Sequence, residues 1–307
     1  MRVLIVGAGS TGGYFGGRLA EAGRDVTFLV HPGRAVRLLA DGLRIKSPTG
    51  DLTLHPNLTT AGGIDGPYGL ILLAVKAFGL TQALDDIAPA IGPETMILPV
   101  LNGMRHVDMI SDRFGRDALV GCVCRIASML DEEGRILQLT PLHDLVYGEL
   151  TGTCTARLQR IDAMMRDAGF NARPSTVIER EMWEKWVMLA TLAGVTGLMR
   201  GTIGEIEAVD GGAEFALAFL DEAIAVATAE GHPPSDSAVE QIRAMISQKG
   251  APTTSSMYRD LIHGRPVEVD QILGDLLIRA RRRQIKTPLL SASFICLTVH
   301  QNRLKAA

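Results

Sequence analysis

Three glycines near the start of the chain, Gly7, Gly9 and Gly12, stand in the spacing G-x-G-x-x-G. That spacing suits the binding of a pyrophosphate. Gly7 lets the chain turn sharply, Gly9 lets the backbone come close to the phosphates, and Gly12 lets the following helix pack on the preceding strand. Ser10 and Thr11 open that helix, whose free N–H groups and positive end face the phosphates. The predicted ligand is a dinucleotide; the alternative is an ordinary strand–turn–helix connection. The residues around Phe28-Leu29-Val30-His31-Pro32-Gly33-Arg34 bear on which dinucleotide. A site for NAD usually ends its second strand in Asp or Glu, which accepts from the ribose hydroxyls. Here no carboxylate stands there, and Arg34 and Arg37 follow His31. A guanidinium fork suits a 2′-phosphate, so NADPH is expected, the bland reading being one solvated helix face.

Further along, Glu181-Met182-Trp183-Glu184-Lys185 begins a helical pattern that sets Lys185 on one face with Met182, Met188, Leu189 and Leu192. Partial burial there lowers a lysine pKa, as a general acid protonating a forming alkoxide requires. A surface Glu181–Lys185 pair is the equal alternative. Lys76 and Asn102 each follow a buried apolar run, at the strand ends that line the ligand crevice of a doubly wound sheet. Taken alone, Thr253-Thr254-Ser255-Ser256-Met257 reads as a helix N-cap cluster and Glu268 as a first-turn acid.

The elements that must position these groups read clearly. Arg2 to Val6 is a strand, Tyr14, Phe15, Leu19 and Ala20 mark a helix, and Asp25 to Val30 is a second strand. Leu70 to Val75, Met96 to Leu101 and Ala118 to Cys124 are further apolar strands, pointing to a parallel sheet covered on both faces. Leu43 to Leu54 suggests a hairpin about Pro48-Thr49-Gly50, and Arg135 to Gly148 suggests antiparallel edge strands. After Pro174 strand-like runs give way to amphipathic segments near 177–199, 205–230, 235–249, 253–263, 267–284 and 288–303. The expected fold is α/β: an N-terminal Rossmann-type doubly wound domain over 1–172 and an all-helical domain over 173–307, with chemistry in the cleft between them.

With 307 residues, 47% hydrophobic and 21% charged, the chain has the balance of a soluble globular protein. A net charge of −3 gives no general attraction to nucleic acid or an anionic membrane. The basic cluster Arg279, Arg281, Arg282, Arg283, Lys286 reads as a helix end. Cys122, Cys124, Cys154 and Cys296 lack metal-ligand spacing, so no metal is expected, and buried thiols fit a reducing compartment. No signal peptide is read, since the apolar start is only about six residues and belongs to the first strand, and no membrane span, since Asp221 and Glu222 interrupt the most apolar stretch. A cytoplasmic homodimer is the expectation.

Taken together, Gly7-x-Gly9-x-x-Gly12, Val75-Lys76-Ala77, Asn102-Gly103-Met104, Glu181-x-Trp183-x-Lys185, Ser255-Ser256-Met257 and Glu268-Val269-Asp270 make the whole chain resemble the ketopantoate reductases, NADPH-dependent 2-dehydropantoate 2-reductases. The resemblance implies a reductase in pantothenate and coenzyme A biosynthesis. Lys185 would be its general acid, and Glu268 would hold the substrate hydroxyl region and orient Lys185. Ser256 would bind the substrate carboxylate, while Asn102 and Lys76 would stand between nicotinamide and substrate. His31, Arg34 and Glu268 would join the glycine turn in binding NADPH. Well-studied members carry arginine where this chain has His31, so Arg34 or Arg37 would take the 2′-phosphate. They carry asparagines where it has Leu189 and Ala193, side chains without a donor or acceptor. A reductase of a more apolar 2-oxo acid, or a non-catalytic NADP-binding regulator, is the alternative. A 6-phosphogluconate-type dehydrogenase shares the architecture but does not predict Ser255-Ser256-Met257 with Glu268.

Overall fold

The structure, a computed structural model, describes residues 1–306. In chain order the strands and helices are β1 (Val3–Val6), α1 (Ser10–Glu21), β2 (Val26–Leu29), α2 (Pro32–Asp41), β3 (Leu43–Lys46), β4 (Leu52–Leu54), β5 (Asn57–Thr59), β6 (Leu70–Leu73), α3 (Leu80–Asp86), β7 (Met96–Pro99) and α4 (Arg105–Phe114). Then come β8 (Gly121–Leu130), β9 (Ile136–Gly148), α5 (Ala156–Met165), β10 (Asn171–Pro174), α6 (Ile178–Met199), α7 (Ile203–Glu207), α8 (Gly212–Ala229), α9 (Asp236–Ile246), α10 (Ser256–Ile262), α11 (Asp275–Arg282) and α12 (Pro288–Ala306). The chain divides into two compact units: Met1–Leu101 with His106–Glu179, and Asn102–Arg105 with Arg180–Ala307.

The first unit is built on a parallel sheet in the order β5-β2-β1-β6-β7. Its register aligns Ile5 with Phe28 on one side and Leu72 on the other. The four residues of β1, β6 and β7 are all buried, as strands covered on both faces must be. Successive strands run outward from β1 to β2 and β5, and the chain then returns to the far side of β1 with β6. Strand order therefore reverses between β1 and β6, the place where open α/β sheets bind ligands.

A second sheet runs β10-β9-β3-β4, with β8 also on β9. Two expectations change here. The run Ala118 to Cys124 does not join the parallel sheet beyond a single bridge from Leu119 to Ile97; it leads into β8, antiparallel to β9. Burial on both faces comes from the second sheet's neighbours, which an apolar run alone does not distinguish. Nor is β9 an edge, since β8 flanks one side and β3 and β10 share the other. The hairpin of β3 and β4 forms as expected. Helix α1 lies against both sheets because its glycines leave room. A Cβ on Gly16 would stand 2.7 Å from Ile5 and Phe28, and one on Gly17 2.7 Å from Leu43.

The second unit holds helices joined by loops, with no strand among its described residues. Its core gathers around α6, where Trp183 and Trp186 are fully buried, and a Cβ on Gly194 would collide with the Phe219 ring. Carboxylates join the helices end to face. Glu184 accepts from the N–H and hydroxyl of Ser235 at the start of α9, and Glu222 from the N–H groups of Leu289 and Leu290 at the start of α12. The stretch expected near 205–230 is two helices, parted at Gly211, which has φ +80°. The basic cluster closes α11 as expected, but Arg279 turns inward, pairs with Asp275 and Glu230, and lies 5.6 Å from the Trp183 and Trp186 rings.

Candidate active site

In the first unit the G-x-G-x-x-G residues form the turn from β1 into α1. Gly7 has φ +96°, and a Cβ there would come within 3.1 Å of the Ala74 carbonyl. A Cβ on Gly12 would lie 2.2 Å from the Gly7 carbonyl, so helix and turn touch directly. Gly9 differs: nothing would meet its Cβ within 4 Å, which leaves the turn's outer side open. Gly9 also caps α1 without a side-chain hydrogen bond, and no acidic residue stands in the first turn, formed by Ser10, Thr11 and Gly12. Open backbone, N–H groups facing outward and a positive helix end together fit a dinucleotide's phosphates.

Arg34 reaches this turn. Its Nε donates to the Ala8 carbonyl at 3.3 Å and its Nη2 to the Gly134 carbonyl at 3.3 Å. Carbonyls do not neutralise a guanidinium. Burial, with Arg37 and Arg44 nearby, holds its pKa below the usual arginine value, and it stays charged. Arg37 is exposed on α2, and His31, also exposed, precedes Pro32 as the N-cap of α2. Lys76 is exposed just past β6, two residues beyond the Ala74 that packs on Gly7.

In the second unit a small pocket, partly open to solvent, is lined by Asn102, Leu189, Ala193, Ser255, Ser256, Met257, Asp260, Glu268 and Ile272. Three residues expected at a substrate, Asn102, Ser256 and Glu268, thus share one wall although the chain separates them widely. Ser256 is exposed as the first residue of α10, while the buried Ser255 is its N-cap. The Ser255 hydroxyl accepts from the Tyr258 N–H and lies 3.1 Å from that of Thr196. Glu268 sits where the next helix begins, its carbonyl taking the Ile272 N–H at 3.1 Å. Lys185 does not line the cavity. It is half-buried on α6, one helical turn before Leu189 and two before Ala193, on the face those residues present. Leu189, Ala193, Met257 and Ile272 make the rest of the wall apolar.

Asp260 and Ile272 belong to this cavity and no sequence motif singled them out. Asp260 falls one turn after Ser256 on the same helix, which is the signal that could have found it. Among the described residues no cluster could hold a metal, and no helix is long and apolar enough to cross a membrane.

Comparison with known proteins settles the family. The model of "Ketopantoate reductase PanE/ApbA" matches residues 3–152, and that of its C-terminal part matches 177–301. The chain belongs to the ketopantoate reductase family. An oxidoreductase of Bacillus subtilis, YkpB, is 34% identical over 301 residues, covering 98% of this chain and 99% of the relative. A 2-dehydropantoate 2-reductase of Halobacterium salinarum is 27% identical, covering 94% of this chain and 95% of the relative. The crystal structure of a 2-dehydropantoate 2-reductase from Geobacter metallireducens matches with a TM-score of 0.87 at 28% identity, over 97% of this chain and 99% of that one. This ketopantoate reductase family member is accordingly an oxidoreductase that uses a nicotinamide cofactor and a small-molecule substrate. Its Rossmann-like half and helical half follow the family's architecture.

Proposed function

We propose that the chain reduces the carbonyl of a small 2-oxo acid with NADPH, 2-dehydropantoate being the leading substrate, in pantothenate and coenzyme A biosynthesis. One observation carries the reading: Asn102, Ser256 and Glu268 line a single cavity. Residues 1–172 serve the cofactor and residues 173–307 the substrate. Gly7, Gly9, Ser10, Thr11 and Gly12 hold the pyrophosphate, and Arg34, drawn to the turn, takes the 2′-phosphate, with His31, Lys76, Asn102 and Glu268 completing the cofactor's contacts. When bound, the reduced nicotinamide supplies the hydride that adds to the carbonyl carbon. Lys185 donates a proton from Nζ to the carbonyl oxygen as charge develops there. Glu268 orients Lys185 and accepts from the substrate hydroxyl region, the Ser256 hydroxyl donates to the carboxylate, and Asn102 fixes the carbonyl between its neighbours.

The wall formed by Leu189 and Ala193 favours a second reading, a substrate more apolar beside the carbonyl. A site built for a hydroxyl rejects the analogue lacking it, whereas an apolar wall discriminates weakly. Rates of NADPH loss with 2-dehydropantoate and with its deoxy analogue 3,3-dimethyl-2-oxobutanoate separate the two. Preference for the hydroxylated acid supports the first reading and preference for the analogue the second; turnover of neither, with NADPH bound, contradicts both. NADH run in parallel should be the poorer cofactor, and Arg34→Ala should weaken NADPH by roughly 10- to 100-fold while leaving NADH unchanged. Equal loss for both cofactors would remove Arg34 from the 2′-phosphate.

A further inference from the structure

We propose that Gln271 is a positioning residue, which holds the Asn102-Gly103 turn from inside a π-helical turn so that Asn102 meets the substrate. The proposal rests on the reading of the cavity as the substrate site.

The helix that begins at Glu268 does not continue regularly. After the Ile272 N–H bonds to the Glu268 carbonyl, residues Asp270–Gly274 widen into a π turn before α11 resumes the ordinary pitch. A π turn inserts one residue, so a carbonyl loses its usual partner four residues on. Another helix also reaches this turn: the indole Nε1 of Trp186 donates to the Ile272 carbonyl at 2.9 Å, with both residues buried. Trp186 follows Lys185 directly, so this bond ties the π turn to the helix that carries the proposed general acid.

The same turn grips Asn102 through Gln271, which is only 4% exposed. Its Nε2 donates to the Asn102 carbonyl at 2.9 Å. Its own carbonyl fills the space where a Cβ on Gly103 would stand, 2.7 Å away, and Gly103 has φ +77°. One residue thus meets the Asn102-Gly103 turn with both amide and backbone, and no side chain other than glycine's hydrogen fits at the second position. Burying an amide is unfavourable unless it bonds, so packing alone would favour Leu or Met at this place. Asn102, Glu268 and Ile272 all line the cavity. The π turn therefore connects three of the residues around the substrate.

Gln271→Met keeps the side-chain length and removes the donor. Hydrogen exchange of residues 100–106 should rise, and kcat/KM should fall roughly 5- to 10-fold, with NADPH weakened no more than by Asn102→Ala. In an Asn102→Ala background the same substitution should cost nothing further, because the two act as one unit. Gln271→Glu adds a readout that a packing role would not move. Its carboxyl, with pKa raised by burial, donates an O–H to the Asn102 carbonyl only when protonated, so activity should recover towards low pH relative to wild type. Unchanged exchange, a loss that adds to that of Asn102→Ala, or a shift in melting temperature with kcat and KM intact would each overturn the proposal while leaving the site reading standing. If Asn102→Ala itself leaves kcat/KM intact, the site reading fails and the proposal with it.

Discussion

Leu189 and Ala193 stand one and two helical turns after Lys185 and face the cavity that holds Asn102, Ser256 and Glu268. Two apolar side chains in that wall leave a substrate hydroxyl without a partner from α6. Introducing amides there should therefore change which acid is preferred. Leu189→Asn combined with Ala193→Asn should raise the ratio of kcat/KM for 2-dehydropantoate over its deoxy analogue by roughly 10-fold or more. An unchanged ratio in the folded double variant would place the substrate's far end elsewhere. At this scale much was legible beforehand. Asn102 stood out by its place after an apolar strand, Ser256, Glu268 and Ala193 only through the family resemblance, and helical spacing set Leu189 beside Lys185. Ile272, Trp186 and Gln271 did not, because their part depends on a π turn and on bonds between distant segments, and neither leaves a period in the sequence; Asp260 was passed over although it lies one turn after Ser256.

At the scale of elements, the turn from β1 into α1 is a tight joint. A methyl on Gly12 would meet the backbone carbonyl of Gly7 at 2.2 Å, and backbone cannot swing aside as a side chain can. Gly12→Ala should thus destabilise by about 1–3 kcal/mol and weaken NADPH binding at least tenfold, by melting and by fluorescence titration. A variant with native affinity would show that α1 shifts freely against the turn. The turn and the parallel strands were readable because apolar runs and glycine spacing are local. The place of β8 was not: its apolar residues are buried by β9 and by α1, and burial on both faces looks alike in either sheet. The break at Gly211 was missed for another reason, since a positive φ leaves the apolar pattern on either side intact.

At the scale of the molecule, two interior groups link stability to pH. The His143 ring is buried 2.7 Å from the Tyr14 hydroxyl, and burial holds its pKa down. The Arg157 guanidinium forks onto Glu149, which also accepts from Thr155, and holds that carboxyl below the usual range. In both cases the unfolded chain binds its proton first as pH falls, so stability is full at neutral pH and declines on the acid side. The melting temperature should drop first through the ordinary histidine range, about pH 6.5, and again below about pH 4.3. Glu149→Gln should shrink the second step, to which Glu230 beneath Arg279 and Arg283 also contributes, and leave the first unchanged. A melting temperature indifferent to pH between about 7 and 4 would contradict this assignment. The change from a sheet-bearing unit to a helical one was legible from the change of periodicity after Pro174, since period and composition are summed over many residues and survive local errors.

The central claim is that Lys185 supplies the proton in reduction of a 2-oxo acid, and the direct test is the turnover number of Lys185→Ala beside its NADPH affinity. The account predicts a kcat lower by roughly 10²- to 10⁴-fold with the NADPH Kd unchanged, since the proposed hold on the cofactor's phosphates lies with the glycine turn and Arg34 and not with Lys185. A folded Lys185→Ala enzyme that still turns over within about threefold of wild type would contradict it, because the loss of a general acid is worth far more than that.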